Sequence, residues 1–202
     1  MPKKRNNNGD RARQLLAQEA ARIIVNQGIR DYRVAKIKAA ERLGLNSRGS
    51  LPGNAEIERA VTEHLQLFGR ESHADLLQGL RRTALSAMDM LESFSPRLVG
   101  PVLQGTADDH SAVNLHVFAD SPEAVAVTLS GLGLTYRPYE RRLKSRRNQV
   151  ETYAGFEFEH EHAVVQTTVF PVDGIRQAPI SPINGKPMQR ADVSAVRELI
   201  AD

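Results

Sequence analysis

The period of the apolar residues changes once along this chain, at Pro96, and that change restricts the fold to helices followed by a sheet. Before Pro96 apolar side chains recur every three to four residues. "ARQLLAQEAARIIVNQG" puts Leu15, Leu16, Ala20, Ile23 and Ile24 on one stripe, and Gly28 is a natural stop. "RDYRVAKIKAAERLG" repeats the scheme, with Asp31 as a candidate N-cap and Gly44 as terminator. "LNSRGSLPGN" reads as a loop, after which Asn54 is expected to cap "AEIERAVTEHLQLFG" with Ile57, Val61, Leu65 and Phe68 inward. A fourth helix, "SHADLLQGLRRTALSAMDMLESF", turns Leu76, Leu77, Leu80, Ala84, Met88 and Leu91 toward a core.

After Pro96 the pattern becomes that of strands. "RLVGPVLQ" and "AVNLHVFA" read as the first two. "SPEAVAVTLSGLG" is a helix with Ser121 as N-cap, Pro122 in the first turn and Glu123 where the helix dipole favours an acid. "LTYRPYERRLKS", "VETYAGFEFEH" and "AVVQTTVFP" read as three strands joined by tight turns. A long loop with four prolines, Pro171 to Pro187, leads to a last helix capped by Asp192. The expected class is α+β: a disordered basic tail (1–10), a helical region (11–95), and a mixed-sheet domain of order ββαβββα (96–202).

Composition narrows the chemistry. The chain has no Cys, so thiol nucleophiles, thiolate metal sites and disulfides are excluded. No Gly-x-x-x-x-Gly-Lys-Ser/Thr, no Gly-x-Gly-x-x-Gly after a strand and no Gly-x-Ser-x-Gly elbow is present. No apolar run approaches the roughly 20 residues of a membrane span, and no apolar segment follows the basic start. A cytoplasmic protein with no membrane partner is the expectation.

The net charge of +3 hides an asymmetry. Residues 1–50 hold twelve Lys or Arg against four acids, a net +8, which leaves −5 for the remainder. Arg30, Arg33, Lys36 and Lys38 fall within nine residues. A second cluster, Arg137 with Arg141, Arg142, Lys144, Arg146 and Arg147, surrounds the third-strand turn. Such clusters point to a polyanionic partner, RNA or an RNA-containing assembly, with a solvated helix face and a charged hairpin tip as the alternative reading. "NQGIRDYRVAKIKAAERLG" also has the outline of a helix-turn-helix, as do many amphipathic Ala-rich helices.

The segment "LVGPVLQGTADDHSAVNLHVFAD", Leu98 to Asp120, carries a resemblance. An apolar run, Gly-Thr, a short acidic loop and a second strand resemble the opening of the nucleotidyltransferase superfold, the polymerase-β-like core. The chain as a whole is also similar to a group of proteobacterial nucleotidyltransferase-like proteins. The resemblance implies that Gly105-Thr106 stands for the family's Gly-Ser. It implies that Ser111-Ala112-Val113-Asn114-Leu115 stands for Ser-Asp-Ile-Asp-Leu, and that Gln166 takes the slot of the third carboxylate. In that family the carboxylates hold two magnesium ions that clamp a nucleoside triphosphate. Ala112 offers no ligand, and Asn114 and Gln166 offer only neutral oxygen, so the two-metal site cannot be assembled from these positions.

Gly105, Thr106, Ser111, Asn114 and His116 are therefore the candidate nucleotide-binding residues. Asp108 and Asp109 are the substitute metal ligands to weigh against an acidic turn. In "FEFEHEH", His160 and His162 are a His-x-His pair to weigh against a solvated hairpin tip, and its glutamates are candidate cross-strand partners for Arg141, Arg142 or Lys144. Two functions stay open. One is a non-catalytic pseudoenzyme associated with a nucleotide or RNA. The other is an active, divergent nucleotidyltransferase that uses magnesium to transfer a nucleoside monophosphate to RNA, protein or a small acceptor.

Overall fold

The computed structural model describes residues 7–29, 31–45, 51–68, 70–145 and 149–201. The chain divides into two compact units, Met1–His73 with Pro182–Asn184, and Ala74–Ser181 with Gly185–Asp202. The division falls inside a helix rather than at Pro96.

The first unit is built on α1 (Asn7–Gln27), α2 (Tyr32–Arg42) and α3 (Asn54–Phe68). Helix α1 begins at Asn7, so residues 7–10, expected in the tail, are helical. Gly28 and Gly44 adopt φ of 62°, the left-handed conformation that ends α1 and α2 at low steric cost. Asp31 caps α2, its carboxylate accepting from Arg33 N at 2.7 Å. Asn54 does not cap α3. Glu56 takes that part, accepting from Gly53 N at 2.6 Å while Arg13 holds the same carboxylate at 2.5 Å. Seven alanines (Ala17, Ala20, Ala21, Ala35, Ala39, Ala40 and Ala60) pack with Leu16, Ile23, Ile57, Val61 and Leu65 in the core. Small side chains at these contacts are the kind that let helices pack closely.

The second unit holds α4 (Arg70–Met90) from Ala74 onward and a five-stranded mixed sheet. The strands are β1 (Arg97–Val99), β2 (Val113–Phe118), β3 (Tyr136–Lys144), β4 (Val150–His160) and β5 (Ala163–Phe170), in the order β1-β2-β5-β4-β3. Strands β2 and β5 run parallel, and every other neighbouring pair is antiparallel. Helix α5 (Pro101–Gln104) is a single turn, α6 (Pro122–Gly131) follows β2, and α7 (Val193–Ala201) ends the chain. Asp192 caps α7 through Ala195 N at 3.0 Å. Ser121 stands at the N-cap of α6, but its side chain makes no capping bond there.

The first strand is shorter than the pattern "RLVGPVLQ" predicts. Gly100 takes φ 74°, and Pro101 has no N–H to give to a ladder, so the chain leaves the sheet at Val99 and turns into α5. Val102, expected on a strand, is therefore a helical core residue.

One face of the sheet packs under the helices. Leu80, Ala84, Met88 and Leu91 meet Leu98, Val113, Leu115, Val117, Phe156, Phe158, Val165 and Val169 in a single cluster. Burying each large aliphatic chain contributes about 1.5–3 kcal/mol. His160 on the same face is fixed to α4 by Ser86 Oγ, 2.8 Å from its Nε2, while His162 lies in the β4–β5 turn with φ 65°. The pair is thus split between two environments. The opposite face carries the polar residues, and all six residues of β2 are nonetheless buried. The 3-10 turn Val172–Arg176 and the loop that follows supply cover, tied to Lys144 on one edge strand by Ile180 and to Leu98 on the other by Ala191. Among the described residues no helix is long and apolar enough to cross a membrane.

Candidate functional site

Alternation along β2 puts Asn114, His116 and Phe118 on the polar face. The parallel register sets Gln166, Thr168 and Phe170 of β5 beside them, one for one. Across β4, Gly155 and Glu157 continue the same rows, and across β3 Tyr139 and Arg137 do so.

Arg141 organises this face. From β3 its guanidinium donates Nη1 to Asn114 Oδ1 at 3.0 Å and Nη2 to Gln166 Oε1 at 2.6 Å. The planar fork of arginine suits two acceptors side by side. Each amide then donates outward: Asn114 Nδ2 to the Ala112 carbonyl at 3.0 Å, and Gln166 Nε2 to Glu157 Oε2 at 2.7 Å. An amide can face a cation on one side and an acceptor on the other, which a carboxylate cannot. The residue types at 114 and 166 are thus matched to Arg141. The cross-strand pairing of Arg141 with a glutamate, expected from the sequence, gives way to these amides, and Arg141 is opposite Tyr153 on β4.

Tyr139 lies beneath Arg141, with the guanidinium carbon 5.4 Å from the ring centroid. Its hydroxyl passes over β4 to donate to the Thr167 carbonyl at 2.8 Å. Only glycine permits this crossing: a Cβ on Gly155 would lie 2.5 Å from Thr167 O and overlap the tyrosine ring.

A second arginine enters from the loop. Arg190 lies over the neighbouring rings of Phe118 and Phe170, 5.0 and 4.9 Å from their centroids, and donates Nε to His116 Nδ1 at 3.0 Å. Its Nη1 donates to the Gly174 carbonyl at 2.9 Å. Arg190 Nη2 and His116 Nε2 are buried without a hydrogen-bond partner. Burial, with the charges of Arg190 and Arg141 adding to it, holds the His116 imidazole well below its ordinary pKa, so the ring is neutral at pH 7. The Arg190 guanidinium is pushed down to about 10, by burial first and then by Arg97.

The other candidates lie elsewhere. Gly105 caps the end of α5 with φ 79° and does not follow the strand directly; Gly100 does. Thr106 is nearly buried, its N–H on the Pro101 carbonyl at 3.0 Å. Ser111 Oγ donates to Asp108 Oδ1 at 2.7 Å and accepts from Asp108 N at 2.9 Å, closing the acidic loop on itself. Asp108 also accepts from His110 N, and Asp109 is exposed. This is a self-capped turn. Among the described residues no three His, Asp or Glu side chains converge as a metal-ligand group. Arg142 and Lys144 are exposed on β3, while Arg146 and Arg147 fall outside the described residues. On α2, Arg33 and Lys38 are exposed, Lys38 Nζ reaching Gln27 Oε1 at 3.3 Å and Lys36 Nζ reaching Asn54 Oδ1 at 2.8 Å; Arg30 is outside the described residues.

Sequence reasoning missed the arginines as the centre of the face. Gly155 interrupting a strand was the available signal for a close crossing, and Gly100-Pro101 was the signal for the end of β1. What these residues define is an α+β protein whose polar sheet face is organised by arginine, amide and aromatic groups. No family model matches the chain, and no curated protein matches it.

Proposed function

We propose that the second unit is a nucleotidyltransferase-like fold whose polar face has exchanged metal chemistry for a fixed guanidinium. The protein then works without catalysis, associated with a nucleotide or with RNA. The observation that carries this is Arg141 set between Asn114 and Gln166. In the resembled family those two strands carry carboxylates toward a metal. Here a monovalent cation takes the acceptor oxygens that a metal would need. A magnesium ion brought within about 4 Å of that guanidinium would be repelled by several kcal/mol even at an effective dielectric of about 20.

The sheet order, with β2 parallel to β5 and helices on the apolar face, supports the fold reading. So does Gly100, the glycine that directly follows the first strand. The residue after it is Pro101, which has neither the hydroxyl nor the N–H that serine would offer a phosphate. The exposed cations Arg33 and Lys38 of α2 support an RNA-facing first unit.

The test is incubation of the full chain with the four labelled nucleoside triphosphates, total RNA and magnesium. The expected result is no label transferred to RNA, protein or small acceptor. Magnesium-dependent transfer that is lost on Gln166→Ala overturns the reading and makes the protein an active nucleotidyltransferase.

A further inference from the structure

Three arginines meet the polar face from three directions: Arg97 from β1, Arg141 from β3 and Arg190 from the loop after β5. Among the described residues none of them has a carboxylate within 4.0 Å, although four arginine–carboxylate pairs of that length occur elsewhere. Arg141 uses two of its five N–H donors, both on neutral amides. Arg97 donates Nη1 to the Ser95 and Pro96 carbonyls, at 3.1 and 2.9 Å. Arg190 is bonded to carbonyls and a neutral imidazole, with Nη2 left unpartnered. Glu157, the acid of this network, is engaged through Gln166. Half-buried positive charge without a counter-ion is costly, and a bound anion would offset it.

We propose that Arg97, Arg141 and Arg190 make this face a metal-independent seat for a linked di- or triphosphate. Arg141 is bonded at Asn114 and Arg190 at His116, while Arg97 of β1 lies opposite His116 on the same face. Three cations on one face call for an anion with several charges in a row, as linked phosphates have. The free N–H groups of Arg141 and Arg97 are the donors to it. Arg190, buried at Nη2, supplies field from behind them. The seat rests on the non-catalytic reading above.

The test is calorimetric titration of the full chain in EDTA at about 50 mM salt, where screening is weak. The probes are pyrophosphate, ATP and inorganic phosphate. Pyrophosphate and ATP are expected to bind more tightly than phosphate, with no gain when magnesium replaces EDTA. Arg141→Gln and Arg97→Gln are each expected to weaken binding about tenfold or more. Arg97→Gln guards against misfolding, because that side chain bonds only to carbonyls of adjacent residues. No heat with pyrophosphate or ATP, unchanged affinity in both variants, or binding that requires magnesium overturns the seat. Absence of binding together with absence of label transfer removes the seat and leaves the non-catalytic reading standing. Label transfer removes that reading first.

Discussion

The ring of Tyr139 crosses directly over Gly155 to reach the Thr167 carbonyl oxygen, so one side chain from β3 spans β4 and touches β5. The same ring supports the Arg141 guanidinium. Gly155→Ala places a methyl group where the ring and the carbonyl already lie. It is expected to cost about 2–3 kcal/mol or more by overpacking. Tyr139→Phe keeps the ring and loses one hydrogen bond, about 1 kcal/mol. Urea denaturation of both variants checks the order; an alanine at 155 no more harmful than the phenylalanine would refute the crossing.

Arg141→Met leaves the oxygens of Asn114 and Gln166 without a donor. The expected loss is about 1–3 kcal/mol for each oxygen that stays buried, read from the denaturation midpoint. Arg141→Lys should recover only part of it, since an ammonium cannot match the two-pronged geometry. Equal stability of the lysine variant and wild type would show that charge alone matters there.

The His116 imidazole is held below its ordinary pKa in the folded protein, by burial and then by Arg190 and Arg141. Above the unfolded value of about 6.5 both states are neutral at this group, and it has no effect on stability. As pH falls below that value the unfolded chain takes up a proton that the folded state refuses, so stability drops. His116→Gln removes this contribution, and the loss of melting temperature between about pH 7 and pH 5 should shrink in the variant. A His116 ring that titrates near its ordinary value by NMR would contradict the buried, neutral assignment.

For the first unit, Arg33 and Lys38 are the exposed cations of α2 to test. Changing both to Gln should weaken RNA binding across unrelated sequences. The slope of log affinity against log salt should fall by about 0.7 for each phosphate of single-stranded RNA that is no longer neutralised. Folding should be unaffected, since exposed substitutions shift stability by about 0.5 kcal/mol or less. A wild-type protein with no salt-sensitive RNA binding would make this only a solvated face.

Local signals were sufficient for most elements. The apolar period located the helices, the alternation of β2 and the three later strands, and Gly28, Asp31, Gly44 and Asp192 marked boundaries through conformation or capping that needs only neighbours in sequence. The end of β1 was also written locally, in Gly100-Pro101, but an apolar run on both sides masked it. The site was different. Asn114 was legible as a strand residue, yet its partner Arg141 is 27 residues away and Gln166 is 25 residues beyond Arg141. Arg190 and His116 are separated by 74 residues. Cross-strand register and the path of the loop decide those meetings, and neither leaves a periodic trace in the chain. A guanidinium between two amides has no signature in the sequence, where the three residues are far apart. Only the folded sheet, by bringing β3, β2 and β5 onto one face, sets a guanidinium between the two amides.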